Sequence, residues 1–183
     1  MRYFLLSAIL TFCFAACNKP VKGKNGVTYK SAIQYNDYIV DRQTTLIKNV
    51  IEFGKVVDIS LDSAETMLKT SARQAERMIG ELRGMPPYKG DSALRDAAVR
   101  SFTFYKKVFE KDYMDILNIR RKGAGNLTEE DVTEASRIID KISKEEEGFD
   151  AEFHKAQADY AKKHKMKLMD NKMQKEIDKL NNE

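Results

Sequence analysis

TEEDVTEASRIIDKISKEEEGFDAEFHKAQADYAKKHK, residues 128–165, is the stretch that decides the fold. Val132, Ala135, Ile139, Ile142, Phe149, Phe153, Ala156 and Tyr160 recur at steps of three and four, and Glu146 takes one slot of the row. That is the period of one helix face, not the alternation of a strand. Thr128 supplies an N-cap oxygen, and Glu129, Glu130 and Asp131 set negative charge against the first amides. Leu127 and Val132 are spaced as a hydrophobic staple. Gly148 weakens the helix by about 1 kcal/mol. The row passes through it in phase, so the spacing predicts one long helix, with Glu147-Gly148 the place for any bend. At a rise of about 1.5 Å per residue it spans about 57 Å.

Three further helices are predicted upstream. Over residues 29–57 the row is Ala32, Tyr35, Ile39, Gln43, Leu46, Val50, Phe53 and Val57. Over residues 61–83 it is Leu61, Ala64, Leu68, Ser71, Ala75, Met78 and Leu82, with small residues that let a neighbour approach closely. Gly84 and the following Met-Pro-Pro stop that helix. Over residues 91–121, Leu94, Ala98, Phe102, Tyr105, Phe109, Tyr113, Ile116 and Ile119 form a broad aromatic face, the deepest in the core, with Asp91 or Ser92 as cap. The three prolines stand at 20, 86 and 87, so none interrupts these stretches. Short connections force antiparallel neighbours. The expected fold is all-α: an antiparallel up-down-up-down four-helix bundle over residues 29–165 with a long last helix, followed by a Met-rich tail over 166–183.

The other end of the chain reads differently. Arg2 gives a small positive start, residues 4–14 are an apolar run too short to span a bilayer comfortably, and Ala15-Ala16 precede Cys17. This is the order of a secretory leader, residues 1–16, leaving 183 − 16 = 167 residues. The polar, Gly-containing stretch from 17 to 28 reads as a flexible tether. The leader carries one charged residue, so 32 basic residues become 31 against 28 acids, a net of +3. That weak, interspersed balance argues against a nucleic-acid partner. With Cys13 in the leader, Cys17 is the one cysteine left, which excludes disulfides, thiolate catalysis and Cys-ligated metals.

Chemistry-bearing residues are sparse. His154 and His164 are ten apart on one helix and cannot share a metal there. No Glu-x-x-His or Cys-x-x-Cys-His occurs, so no metal and no cofactor is implied. Glu146 sits on a buried row and needs a partner, for which Gln43, Arg73 and Lys106 are the candidates. Phe102, Tyr105, Phe109 and Tyr113 are candidate liners of an apolar ligand cavity. The loop of Pro86, Pro87 and Tyr88 is a candidate recognition loop, rigid and with an exposed ring.

Phe14-Ala15-Ala16-Cys17 resembles the lipobox of bacterial lipoproteins. That resemblance implies cleavage before Cys17 and attachment there of diacylglyceryl and an N-acyl chain such as palmitate. YNDYIVDRQ (residues 35–43), MPPYKGD (85–91) and ALRDAAVRSFTFYKKVFEKDY (93–113) are similar to a family of helical lipoproteins of Bacteroidetes and spirochaetes, some labelled surface proteins, with no established activity. The resemblance covers most of the mature chain and implies an envelope-anchored helical domain, with no site residue transferred. Asn18-Lys19-Pro20 lacks the acids that follow the cysteine in surface-exported lipoproteins of Bacteroidetes. The expected location is therefore the cell envelope, at the outer membrane, with periplasmic and surface faces both open. The expected function is a non-enzymatic interaction or binding module whose partner is another envelope component. The alternative is a carrier of an apolar ligand between the helices. An enzyme built on Glu146 is the third and weakest reading.

Overall fold

The aromatic third stretch becomes the centre of the molecule. The computed structural model describes residues 20–168. In chain order the elements are β1 (Val21–Lys22), β2 (Thr28–Tyr29), α1 (Ala32–Val56), α2 (Leu61–Arg83), α3 (Ala93–Lys107), α4 (Tyr113–Arg120) and α5 (Glu129–Lys163). A π-helical turn over Val108–Asp112 fuses α3 and α4 into one rod, so the architecture is an all-α antiparallel bundle of four arms. The rod packs against α1, α2 and α5. Leu94, Ala98, Phe102, Tyr105, Val108 and Phe109 are buried along it. On α1 the buried row is Tyr35, Ile39, Gln43, Leu46, Phe53 and Val57, and on α2 it is Ala64, Leu68, Ser71, Ala75, Met78 and Leu82, at the spacings the sequence predicts.

The helix starts are capped as their sequences dictate. Ser31 accepts from the Gln34 amide and Ser60 from the Ser63 amide. Asp91 accepts from the Ala93 amide at 3.1 Å, so Asp91 and not Ser92 caps the third arm. α5 opens with a complete capping box. Asp131 donates its amide to Thr128 Oγ1 at 3.2 Å, and its carboxylate accepts the Thr128 amide at 3.1 Å. Asp thus closes the box where Glu is usual, helped by Lys122, whose Nζ lies 2.6 Å from the same carboxylate. α5 runs unbroken through Gly148 for 35 residues.

Several expectations need correction. From Val21 on, the expected tether over 17–28 is a hairpin, with Val21 opposite Tyr29 and Lys22 opposite Thr28. Tyr29 therefore belongs to a strand, and α1 begins at Ala32. Asn25 clasps this hairpin to the end of α2. Its Nδ2 donates to Tyr29 Oη at 2.6 Å and to the Glu81 carbonyl at 3.2 Å, while Lys24 donates its amide to the Gly84 carbonyl at 2.7 Å. Gly84 is more than a helix stop. A Cβ there would stand 2.9 Å from the Asn25 nitrogen and 3.0 Å from its Cβ. The π turn is the second correction. The Tyr113 amide reaches back to the Val108 carbonyl, which inserts one residue into the rod. Leu117 then takes the buried row where uninterrupted α spacing puts Ile116. On α5, Ile138 is buried while Ile139 and Val132 are 54% and 55% exposed, because the inward face of its first turns carries Asp131, Ile138 and Ile142 and leaves positions 132 and 139 to the side. Leu127 is also exposed, so no buried staple forms there. The leader over 1–16, Cys17 and the tail beyond Leu168 lie outside the described residues.

Two substitutions test this account. Thr128→Ala should lower stability by about 1 kcal/mol in urea unfolding, since it removes one cap bond. Gly84→Ala should raise amide hydrogen exchange at Gly23, Lys24 and Val27 while leaving exchange in the middle of α3 unchanged. Its Cβ can only displace the hairpin backbone, which is the cheaper of the two packed layers to move.

Candidate functional site

One end of the bundle is closed by tyrosines. Tyr35 lies within 5.1 to 5.6 Å of Tyr29, Tyr88 and Tyr160, ring centre to ring centre. Tyr35 Oη donates to the Pro86 carbonyl at 3.0 Å, and Arg95 Nη1 donates to the Met85 carbonyl at 2.9 Å. These bonds tie down the Met85-Pro86-Pro87-Tyr88 loop. Tyr88 is 3% exposed, so the expected presentation of its ring is corrected: the ring fills the space between Tyr35, Tyr160 and His164, and Pro87 alone of the three candidates is exposed. Beside it, Tyr38 is pushed up to about 12, chiefly by burial. The Arg42 guanidinium stacks 3.3 Å above that ring and donates to Glu81 at 2.7 Å.

His164 caps the end of α5 against this cluster. Its ring packs on Tyr160 and Tyr88. Its Nε2 is buried without a hydrogen-bond partner, 3.8 Å from Asp91 Oδ2, which pairs with Lys163 at 2.9 Å. Burial holds the imidazole below its ordinary value, the nearby Asp91 opposes that, and Lys163 and Lys89 add to it.

A second polar group lies between α3 and α5. Tyr105 Oη donates to Glu146 Oε1 at 2.7 Å. Burial first, and the Glu146 charge second, hold the phenol far above its ordinary value, so it stays a donor. Glu146 is half-buried and takes its bond from Tyr105, not from the expected Gln43, Arg73 or Lys106. Lys106 pairs instead with Glu110 and Glu76, Arg73 donates to Thr70, and Gln43 is buried on α1. One turn on, Asp150 is raised by burial and by the Glu146 charge, with His154 pulling the other way. Asp150 thus favours its protonated form more than a free aspartate does. Among the described residues no group of three His, Cys, Asp or Glu gathers to hold a metal.

Phe102 and Phe109 are fully buried and Tyr105 is 3% exposed; these three expected cavity liners pack the core. The fourth, Tyr113, lines an open groove of about 360 Å³ with Phe53, Ile116, Ile139, Ile142 and Glu146. This groove exists because α1 and α5 meet at the tyrosine end and part from there. At that end Gln157 donates to Asn36 at 2.9 Å and Tyr160 stacks on Tyr35. Where the groove lies, Tyr113 and Ile116 of α4 stand between Phe53 of α1 and Ile139 and Ile142 of α5.

None of Asp150, half-buried, Asp112, buried, and His164, its side chain 6% exposed, is among the residues expected inside from sequence. Asp150 had a signal, since Glu146 and Asp150 are four apart and share a face. Asp112, 2% exposed, with Lys141 donating to it at 3.0 Å, had one too, since it follows the buried Leu94, Ser101 and Tyr105 at 18, 11 and 7 residues, the spacing of one helix face. No protein-family model, no curated protein and no solved structure matches the chain. Among the described residues no helix is long and apolar enough to cross a membrane.

Asp150 gives a pH test. A carboxyl held above its ordinary value of 3.8 disfavours the folded state once ionised. The penalty is absent below that value and grows as pH rises through it. Asp150→Asn should therefore raise Tm at pH 7, and the gain should vanish in thermal melts run below the ordinary aspartate value.

Proposed function

We propose that this protein is a lipid-anchored bacterial envelope protein, held at the outer membrane through acylated Cys17, that acts as a non-enzymatic interaction module. The observation that carries the interaction reading is the apolar groove between the parted halves of α1 and α5. Its floor is Phe53, Tyr113 and Ile116, and its edge includes Ile139, 54% exposed. Ile59, 83% exposed just past α1, and Val132 in the first turn of α5 add apolar surface at the same end. An open, elongated apolar groove between two helices has the shape that receives an amphipathic segment of a partner. A carrier needs an enclosed volume, and of the rings expected to line one, Phe102, Tyr105 and Phe109 fill the core while Tyr113 faces the open groove.

The lipobox order of residues 14–17 supports the anchor. Two or more acyl chains are needed for stable retention, each methylene contributing about 0.8 kcal/mol. Intact mass of the purified protein should show an acylated Cys17 as the first residue, and Cys17→Ser should release the protein from the membrane fraction. A photo-crosslinking side chain at position 139 in the lipidated protein should yield a defined protein adduct in envelope membranes, lost on Phe53→Glu. An adduct with a small apolar molecule would replace the module reading by the carrier, and no adduct at all would remove the groove from consideration.

A further inference from the structure

Lys24, Lys30, Lys89, Lys163, Lys165 and Lys167 are exposed at the tyrosine end of the bundle. Four of them line a cleft of about 650 Å³ whose lining contains no carboxylate. The same lining holds Ile33, 53% exposed, and Met166, and Leu168, 37% exposed, follows directly. The nearby acid, Asp91, is paired with Lys163 and faces His164. At the opposite end the basic residues are matched to acids: Arg120 to Asp58, Arg121 to Asp62 and Glu65, Lys122 to Asp131. The molecule therefore has one end rich in exposed lysines beside Ile33 and Leu168, and another where Arg120, Arg121 and Lys122 are held by four acids.

Chain reach decides what that end meets. A free tether from Cys17 to residue 28 would allow about 40 Å, enough for a bundle of this length to take any orientation. The hairpin removes that freedom. It is fixed to α2 by the bonds of Lys24 and Asn25 to Gly84 and Glu81. Pro20, which precedes β1, is three residues from Cys17, at most about 11 Å of chain. Attachment of lipid to Cys17 would hold Pro20, at the foot of the hairpin on this end, within that distance of the headgroups, about one Debye length, and so turn this end toward the bilayer.

Resting on the anchor reading above, we infer that the tyrosine–lysine end docks on an anionic bilayer surface, with the lysines of the cleft at the headgroups and Ile33 and Leu168 at the interface. Lysines near an anionic leaflet and exposed apolar residues beside them act together at such a surface. The bundle then stands with α1 rising from the membrane, and the apolar groove opens toward the far end. α1 is 25 residues, about 37 Å by its rise.

The chain contains no tryptophan, so single reporters are clean. Ile33→Trp and Ile59→Trp versions of the lipidated protein would be reconstituted into phosphatidylcholine vesicles with brominated acyl chains, with and without phosphatidylglycerol. Circular dichroism of each would verify the helical fold. Emission from Ile33→Trp should be quenched several-fold more than from Ile59→Trp when phosphatidylglycerol is present. The difference should collapse at high salt, without phosphatidylglycerol, and on combining Lys24→Glu, Lys165→Glu and Lys167→Glu, each lysine contributing about fivefold to the docked population. Equal quenching of the two reporters, or a difference indifferent to lipid charge, overturns the docking. Mass analysis of the reconstituted sample separates the two failures. An acylated protein with equal quenching loses only the docking, whereas a protein without acyl chains that stays out of the vesicles loses the anchor and the docking with it.

Discussion

A helix that touches three others must bury far more of its circumference than the usual single stripe. The α3 rod does this with Leu94, Ala97, Ala98, Ser101, Phe102, Phe104, Tyr105, Val108 and Phe109, all buried. Because the rod supplies the wide apolar surface, its neighbours need only narrow ones. Half of the buried side chains of α2 are small, Ala64, Ser71, Ala72 and Ala75, and α5 spaces its apolar residues thinly among charges. Ser101, fully buried with its hydroxyl unpartnered, and Asp112, 2% exposed with one oxygen unpartnered, are polar concessions on the rod's inner face. Removing bulk from Phe102 or Phe109 would therefore loosen contacts to more than one arm at once.

The two ends of the bundle are built on different principles. The tyrosine end combines ring packing with hydroxyl and amide bonds that tie separate segments together: Asn25 to Tyr29 and Glu81, Tyr35 to Pro86, Gln157 to Asn36. Aromatic pairs at these separations add about 0.5 to 1.5 kcal/mol each beyond their burial. The other end relies on exposed ion pairs and an N-terminal capping box, each worth about 1 kcal/mol or less. Local opening is thereby easier where the groove lies, and harder where the chain enters and leaves the bundle.

Periodicity carried most of the fold into view. The inward rows of α1 and α2 were legible residue by residue, because a buried stripe at 3.6-residue spacing leaves little freedom. What was not legible needed contacts distant in sequence. Nothing local marks residues 21–29 as a hairpin, since its strands have two residues each and its clasp partner, Gly84, is about 60 positions away. Tyr88 looked presentable because a Pro-Pro-Tyr loop is stiff, and only the bonds from Tyr35 and Arg95 turn it inward. The choice between Ile138 and Ile139 depended on which face the first turns of α5 set against the rest of the bundle. Of the candidate site, Glu146 was legible as a polar residue on an inward row, and its partner was not, because Tyr105 reads as core until its hydroxyl is placed.

The π turn has a consequence for how this architecture can vary. It is one extra residue in an otherwise regular rod, and beyond it Leu117 faces the core while Ile116 and Tyr113 face the groove. Loss of a single residue there would return the rod to α geometry with Leu117 still on the inward row and Ile116 and Tyr113 still at the groove, because the wide turn is what takes up the extra residue. An insertion or deletion elsewhere in α3 or α4 would instead turn every later side chain by roughly 100°. The π turn is thus the one point among the described residues of the rod where chain length can change while core and groove keep their linings.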